Sequence, residues 1–215
     1  MRKMITVKIN GEERQYPQGA TYEDVANDYQ QEYDNLIALA ARDGKIRELF
    51  KKLTRDCEVT FFTLKDDVGN KTYVRSATML FLKAVFDVYG REAAQSCRVE
   101  FAIGNGSYIS PKGKINATEE NAAKIRNRMR ELVEAKTPFL KRSYSLDNAM
   151  ELFRKEGMKD KEKLFRYRRG SFVNIYEMDG YYDYYYGYML PNAGYVKWFD
   201  VIAYEDGFML LLPDK

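Results

Sequence analysis

The stretch Arg75–Gly90 limits the fold more than any other. Leu80, Phe81, Ala84, Val85 and Val88 fall on one helical face, and the opposite face is also largely apolar. A helix apolar nearly all round must be enclosed, so this one is predicted to run through the middle of a domain. Gly90 supplies its stop. Apolar residues make up 45% of the 215, enough to build the enclosure.

The segments before that helix read as a smaller, separate unit. Met4–Ile9 alternates like a strand, Asn10–Gly11 is a type I′ turn signal, and Glu12–Tyr16 returns as the second hairpin arm. Thr21 with Asp24 forms a capping box that opens a helix with Val25, Ala26 and Tyr29 inward. Leu36–Ala41 and Cys57–Leu64 read as strands separated by an Asp43–Gly44 turn. Asp66–Lys71 is polar and turn-rich and is expected to link the two domains, residues 1–65 and 66–215. After the central helix come strands Arg98–Ile103 and Ser107–Ser110, a helix capped by Asn116 with Glu119, and a second helix starting near Ser145. Strands follow at Phe172–Tyr176, the tyrosine run, Tyr195–Ala203 and Phe208–Leu212. The expected class is α+β: a β-grasp unit, then a domain of antiparallel sheet and helices.

What the chain lacks constrains its chemistry. There is no histidine, which removes the usual general base, the commonest zinc ligand and every Ser-His or Cys-His nucleophile. Cys57 and Cys97 belong to no metal or redox spacing and are expected as buried thiols of a reduced, cytoplasmic protein, with one disulfide as the alternative. No apolar run approaches a bilayer span, so no membrane partner is expected. Gly104–Gly106 and Gly113–Lys114 miss the spacing of a phosphate loop, and Ile115 stands where magnesium binding needs Ser or Thr. No nucleotide, cofactor or metal site is therefore expected in this chain.

Two segments carry candidate binding surfaces. Tyr181–Tyr188 holds six tyrosines in eight residues. Period two would place Tyr182, Tyr184, Tyr186 and Tyr188 on one face and Tyr181, Tyr185 and Met189 on the other. Such a face is either a base-stacking platform or sheet packed on helices. Between Arg154 and Arg169 eight Lys/Arg meet only Glu156, Asp160 and Glu162. Arg154, Lys155, Lys163, Arg166, Arg168 and Arg169 are the candidate nucleic-acid contacts, against a reading as a solvated helix end and loop.

The order of these elements resembles two known domains. Ile5–Ile9 with Asn10–Gly11, Gly19–Thr21, Ala40–Gly44 and Cys57–Phe61 are similar to a TGS domain, the β-grasp module at the front of threonyl-tRNA synthetases. Arg75–Leu80, Ile103–Tyr108, Thr118–Glu120, Pro138–Phe139, Ala149–Phe153 and then Asp183, Gly187, Pro191 and Gly194 resemble the second N-terminal domain of those enzymes, which edits mischarged seryl-tRNA. The resemblance implies an editing pocket walled by Arg75, Met79, Asp183, Tyr185 and Met189. In the synthetases a His-x-x-x-His and a Cys-x-x-x-His hold four of these places; here all four side chains differ. Arginine cannot act as a base near neutrality, and Met and Tyr are poor ligands for a borderline cation. A pocket with these walls is expected to be catalytically inert, and either filled, with Arg75 paired to Asp183 or another acid, or open to a small anionic or nucleoside-like ligand.

Arg75–Val85 also resembles the region ahead of the kinase domain in long bacterial nucleoside (uridine) kinases. That implies a regulatory or ligand-binding region whose partner is its own C-terminal kinase domain, with ATP and magnesium bound there. The alternatives are a free-standing RNA- or tRNA-binding module and a residual editing hydrolase using Asp183 or Tyr185.

Overall fold

The computed structural model describes residues 3–167 and 170–214. The chain divides into two units, one running through Ser76 with Gly187–Pro191, the other comprising Ala77–Tyr186 and Asn192–Asp214.

In the first unit, β1 (Met4–Ile9) and β2 (Glu12–Pro17) form a hairpin whose turn puts Asn10 and Gly11 at positive φ, as a type I′ turn demands. Helix α1 (Tyr22–Tyr29) begins with a complete capping box: Asp24 N–H donates to Thr21 Oγ1 at 3.1 Å and Thr21 N–H to Asp24 Oδ2 at 2.7 Å. Strands β3 (Ile37–Arg42), β4 (Lys45–Glu48) and β5 (Cys57–Thr63) complete a sheet of order β2-β1-β5-β3-β4. Its central pair, β1 and β5, is parallel and the rest antiparallel, the arrangement a β-grasp takes. Ile5, Val7 and Ile9 alternate inward with Leu39 and Val59, as period-two strands with one buried face must.

Helix α2 (Asp67–Tyr89) starts eight residues before the expected position. The segment anticipated as a linker is instead its first turns. Asp66 accepts from Thr63 N–H at 2.7 Å and Asn70 N–H bonds the Asp66 carbonyl, so the polar residues here start a helix rather than a loop. The expected domain boundary at residue 65 lies just before it. The first compact unit extends into the helix, through Ser76.

The second unit contains the rest of α2, then α3 (Arg91–Ser96), β6 (Arg98–Ile103), β7 (Gly106–Ser110), α4 (Glu119–Glu134), β8 (Leu140–Ser145), α5 (Leu146–Lys155), α6 (Lys159–Phe165), β9 (Phe172–Met178), β10 (Tyr181–Asp183), β11 (Asp200–Tyr204) and β12 (Gly207–Leu211). Two antiparallel sheets form, β10-β9-β8 and β11-β12-β7-β6. Helix α2 reaches both: Phe81 meets Phe208 at 6.2 Å and Phe86 meets Tyr181 at 5.7 Å between ring centroids. Leu80, Phe81, Ala84 and Val85 are fully buried, whereas Val88 is exposed near the helix end. Together with the first unit this is an α+β protein.

Several local readings are corrected. The cap of α4 is Thr118, whose hydroxyl accepts from Asn121 N–H, not Asn116. Strand β8 and helix α6 were not anticipated. β8 alternates polar residues on an exposed edge, and α6 is short and highly charged, so neither shows the apolar period that signals an element. Strand β11 begins at Asp200, after a 3₁₀ turn at Ala193–Tyr195, rather than at Tyr195. The tyrosine run is strand only through Asp183. Cys57 and Cys97 are free thiols, Cys97 buried and Cys57 half-buried. Among the described residues no helix is long and apolar enough to cross a membrane.

Candidate functional site

A cavity of about 210 Å³ opens in the second unit, lined by residues of α2, α3, the start of β6, α6 and the β10 segment. Asp183 at the end of β10 is its central charged group. Asp183 Oδ1 accepts from the Tyr184 backbone N–H at 2.7 Å and lies 3.2 Å from Lys161 Nζ. Oδ2 receives the Tyr181 hydroxyl at a long 3.4 Å. Lys161 stands on α6 and also lies 3.9 Å from Asp160. The rings of Tyr181, Tyr184 and Tyr185 add aromatic walls, with Tyr184 set edge-on against Phe165 at 4.7 Å.

Local sequence explains this geometry. The β9–β10 turn needs positive φ at Asp179 and Gly180, and its position on α2 is held by a buried lysine. Lys83, with a side chain 2% exposed, donates to Asp87 Oδ1 and to the Asp179 carbonyl, both at 2.7 Å. On the other side, Ala149, Phe153, Met158 and Phe165 form an apolar cluster with Val173 and Ile175. That cluster seats α5 and α6 on the β8–β10 sheet and so brings Lys161 to Asp183.

Burial and the Asp183 charge hold the phenols of Tyr181 and Tyr185 well above the usual tyrosine range. The Tyr185 hydroxyl is close enough to Asp183 for that effect, yet it is buried without a hydrogen bond of ordinary geometry. Burial likewise pushes the Cys97 thiol up to about 12. All three groups are therefore protonated near neutrality, with no activated nucleophile among them. Among the described residues no group of three or more Cys, Asp or Glu side chains is placed to hold a metal ion.

Of the five expected pocket residues, Asp183 and Tyr185 line this cavity. Met79 belongs to the same unit and is fully buried, outside the lining. Arg75 and Met189 belong to the first unit. There Arg75 Nε donates to the Tyr188 carbonyl at 3.0 Å and its Nη2 to Thr72 Oγ1 at 3.3 Å. Its guanidinium lies so close to Gly187 that a Cβ there would meet Cζ at 2.7 Å. Met189 is buried, its N–H donating to Glu48 Oε1 at 3.3 Å and its sulfur 3.9 Å from Ser76 Oγ. The cation paired with Asp183 is thus Lys161, which the sequence reading counted only as one charge in a basic run, and not Arg75. Tyr181 shares strand parity with Asp183 and was legible on the same face. Tyr184 was not, because the strand ends one residue before it.

The basic segment forms a second feature. Lys155, Lys159 and Lys163 are exposed and have no ion pair among the described residues, while Arg154 and Arg166 share Glu162 at 3.1 and 3.9 Å. Beside them in the chain Leu164 is 62%, Tyr167 85% and Phe172 66% exposed. Arg168 and Arg169 lie outside the described residues. The tyrosine run makes no platform: Tyr182 and Tyr184 pack against the α5–α6 cluster, and Tyr186 alone stands out, 88% exposed.

No protein-family model matches the chain. It is 27% identical over 213 residues to a threonine–tRNA ligase of Thermotoga neapolitana, covering 96% of this chain and 31% of that protein. The threonine–tRNA ligase of Thermotoga maritima is 28% identical over 95% of the chain, and that of Porphyromonas gingivalis strain W83 is 25% identical over 87%. The chain spans about a third of the length of the curated relatives it matches.

Proposed function

We propose that the chain is a non-hydrolytic RNA-binding module of the kind found in the N-terminal third of threonine–tRNA ligases, with tRNA as its partner. The carrying observation is the surface of α5 and α6. Three exposed lysines with no ion pair among the described residues lie in the same stretch of chain as exposed Tyr167 and Phe172, and such residues supply the phosphate neutralisation and stacking that single-stranded or looped RNA takes. The similarity to tRNA ligases over nearly the whole chain supports the same partner. Hydrolysis is not part of this reading, since the chain has no histidine and its cavity carries protonated phenols and thiol. The test is fluorescence anisotropy with labelled tRNA across a salt series. Binding should weaken steeply, with a log–log slope of at least about −2, as about three phosphate contacts require at ~0.7 each. A flat salt response, or no binding at low salt, would overturn the reading.

A second reading is favoured by Arg75–Val85, which resembles the region ahead of long bacterial nucleoside kinases. In it the first unit is a TGS domain, and the whole chain is a cytoplasmic regulatory region for a kinase domain that binds ATP and magnesium. Sequencing the gene beyond Lys215 checks it: a Gly-x-x-x-x-Gly-Lys-Ser/Thr loop supports it, and a stop codon removes it.

A further inference from the structure

We propose that strand β6 pairs with β6 of a second copy of this chain, so that the two four-stranded sheets join edge to edge about a two-fold axis. The inference goes beyond RNA binding and rests on other residues. In the sheet β11-β12-β7-β6 one face is covered: the row Ala203, Phe208, Ile109 and Val99 lies toward α2, where Phe208 meets Phe81. The row on the opposite face is Ile202, Met209, Tyr108 and Phe101, and Ile103 shares that face two residues along β6. Phe101 stacks on Tyr108 at 4.8 Å, and Tyr204 meets Tyr108 edge-on at 6.1 Å. Phe101 and Ile103 are half-exposed at the rim of this apolar face.

Strand β6 is also the edge of its sheet, and its backbone fixes how a partner can add. It turns into β7 through Gly104–Asn105, a two-residue turn with positive φ at Gly104, which makes Ile103 and Gly106 a hydrogen-bonded pair. Such pairs alternate along an antiparallel ladder, so Phe101 also bonds β7 while Ala102 turns its N–H and C=O to the open edge. The irregularity in the ladder lies before Phe101. Natural edges are commonly blunted by lysine or proline, and Phe101–Ile103 contains neither.

Register and charge select a second copy as the occupant. A two-fold antiparallel pair must centre on Ala102, which then faces Ala102 of the partner, and Phe101 faces the partner's Ile103. Glu100 falls opposite the partner's Gly104, roughly 13 Å along the strand from the partner's Glu100. That is past the ~8 Å Debye length, and Glu100 carries Lys112 of its own chain as counter-ion. Arg98 comes level with the space beyond the partner's β6–β7 turn. There Asn105 and Leu212 bond each other twice, and exposed Asp214 follows with no ion pair among the described residues. Arg98 Nη1 is held by the carbonyls of Gln95 and Cys97, which leaves Nη2 for that carboxylate. Nucleic acid does not suit this face, because Asp206 accepts from the Tyr108 hydroxyl, Glu205 stands exposed beside it and Lys112 is already paired.

Sedimentation equilibrium of the nuclease-treated whole chain, from about 10 μM to about 1 mM, tests this. A junction this short belongs with the transient interfaces below about 1,200 Å², so a monomer–dimer equilibrium is expected that half-associates in the upper part of that range. Ile103→Lys sets a charge against the partner's Phe101 and should weaken dimerisation at least about tenfold. Ala102→Pro removes the N–H that faces the open edge and should abolish it. Circular dichroism verifies that both variants fold, and on the unaltered chain exchange of the Ala102 amide should slow as concentration rises. A monomer throughout, which leaves the edge to solvent or to a strand of another protein, would overturn the proposal. So would assemblies larger than two, or a dimer indifferent to Ile103→Lys. Replacing Lys155, Lys159 and Lys163 together by alanine should leave the dimer intact; its loss there would move the contact to α5 and α6 and overturn the β6 pairing. Affinity for tRNA, measured separately, reports on the RNA reading alone.

Discussion

Cys97 shows how a single side chain can serve as a probe of its surroundings. It lines the cavity, and burial lifts its thiol from 9.0 to about 12. Between those values the unfolded chain has lost the proton and the folded chain still holds it. The unfolded state then binds fewer protons, so stability falls as pH rises. The free energy of unfolding from urea titrations should accordingly hold up to about pH 9 and decline from there toward about 12. Cys97→Ala should show a shallower decline over that window; an identical slope would mean that the thiol is not buried as described. Gly187 shows the opposite kind of dependence, on space. With φ near 133° and the Arg75 guanidinium against it, it is a position where only glycine fits.

At the scale of elements, α2 holds the β9–β10 turn through one buried cation. Lys83 bonds Asp87 on its own helix and the Asp179 carbonyl at the turn, while Arg128 on α4 approaches Asp87 from the other side at 2.9 Å. Removing one partner of such a buried arrangement leaves the rest without compensation. Lys83→Met is therefore expected to destabilise the protein by about 3 kcal/mol, read as a drop in the urea midpoint. A loss under about 1 kcal/mol would place the hold on the turn in apolar packing, such as Phe86 against Tyr181, instead. The same elements show what a sequence reading can reach. Hairpin β1–β2, helix α1 and α2 itself announce themselves through Asn10–Gly11, the Thr21–Asp24 box and an apolar run. Strand β8 and helix α6 carry no such local signal, and their place depends on the cluster formed by Phe153, Phe165 and Val173.

At the scale of the whole molecule, charge is the property that bears on partners. The formal net charge is only +3, too small to imply a polyanion, but α5 and α6 present Lys155, Lys159 and Lys163 exposed and with no ion pair among the described residues. If those helices take phosphates, replacing Lys155, Lys159 and Lys163 together by alanine should make the log–log salt slope of tRNA binding shallower by about 2. Thermal stability should barely move, because all three side chains are exposed. An unchanged slope would direct attention away from this surface.

Periodicity, turn residues and caps are local, and they sufficed for the α+β class, the central helix and the hairpins. The absence of histidine is likewise a fact of the sequence alone and needs no geometry. Which residues meet was decided only by tertiary structure. The contact of Lys161 with Asp183, 22 positions later in the chain, arises because an apolar cluster seats α6 on a sheet, and nothing in either residue's local sequence encodes that packing. The tyrosine run likewise kept its alternation only while strand β10 lasted. Beyond Asp183 the chain leaves the ladder, and the side chains follow the packing that each one finds.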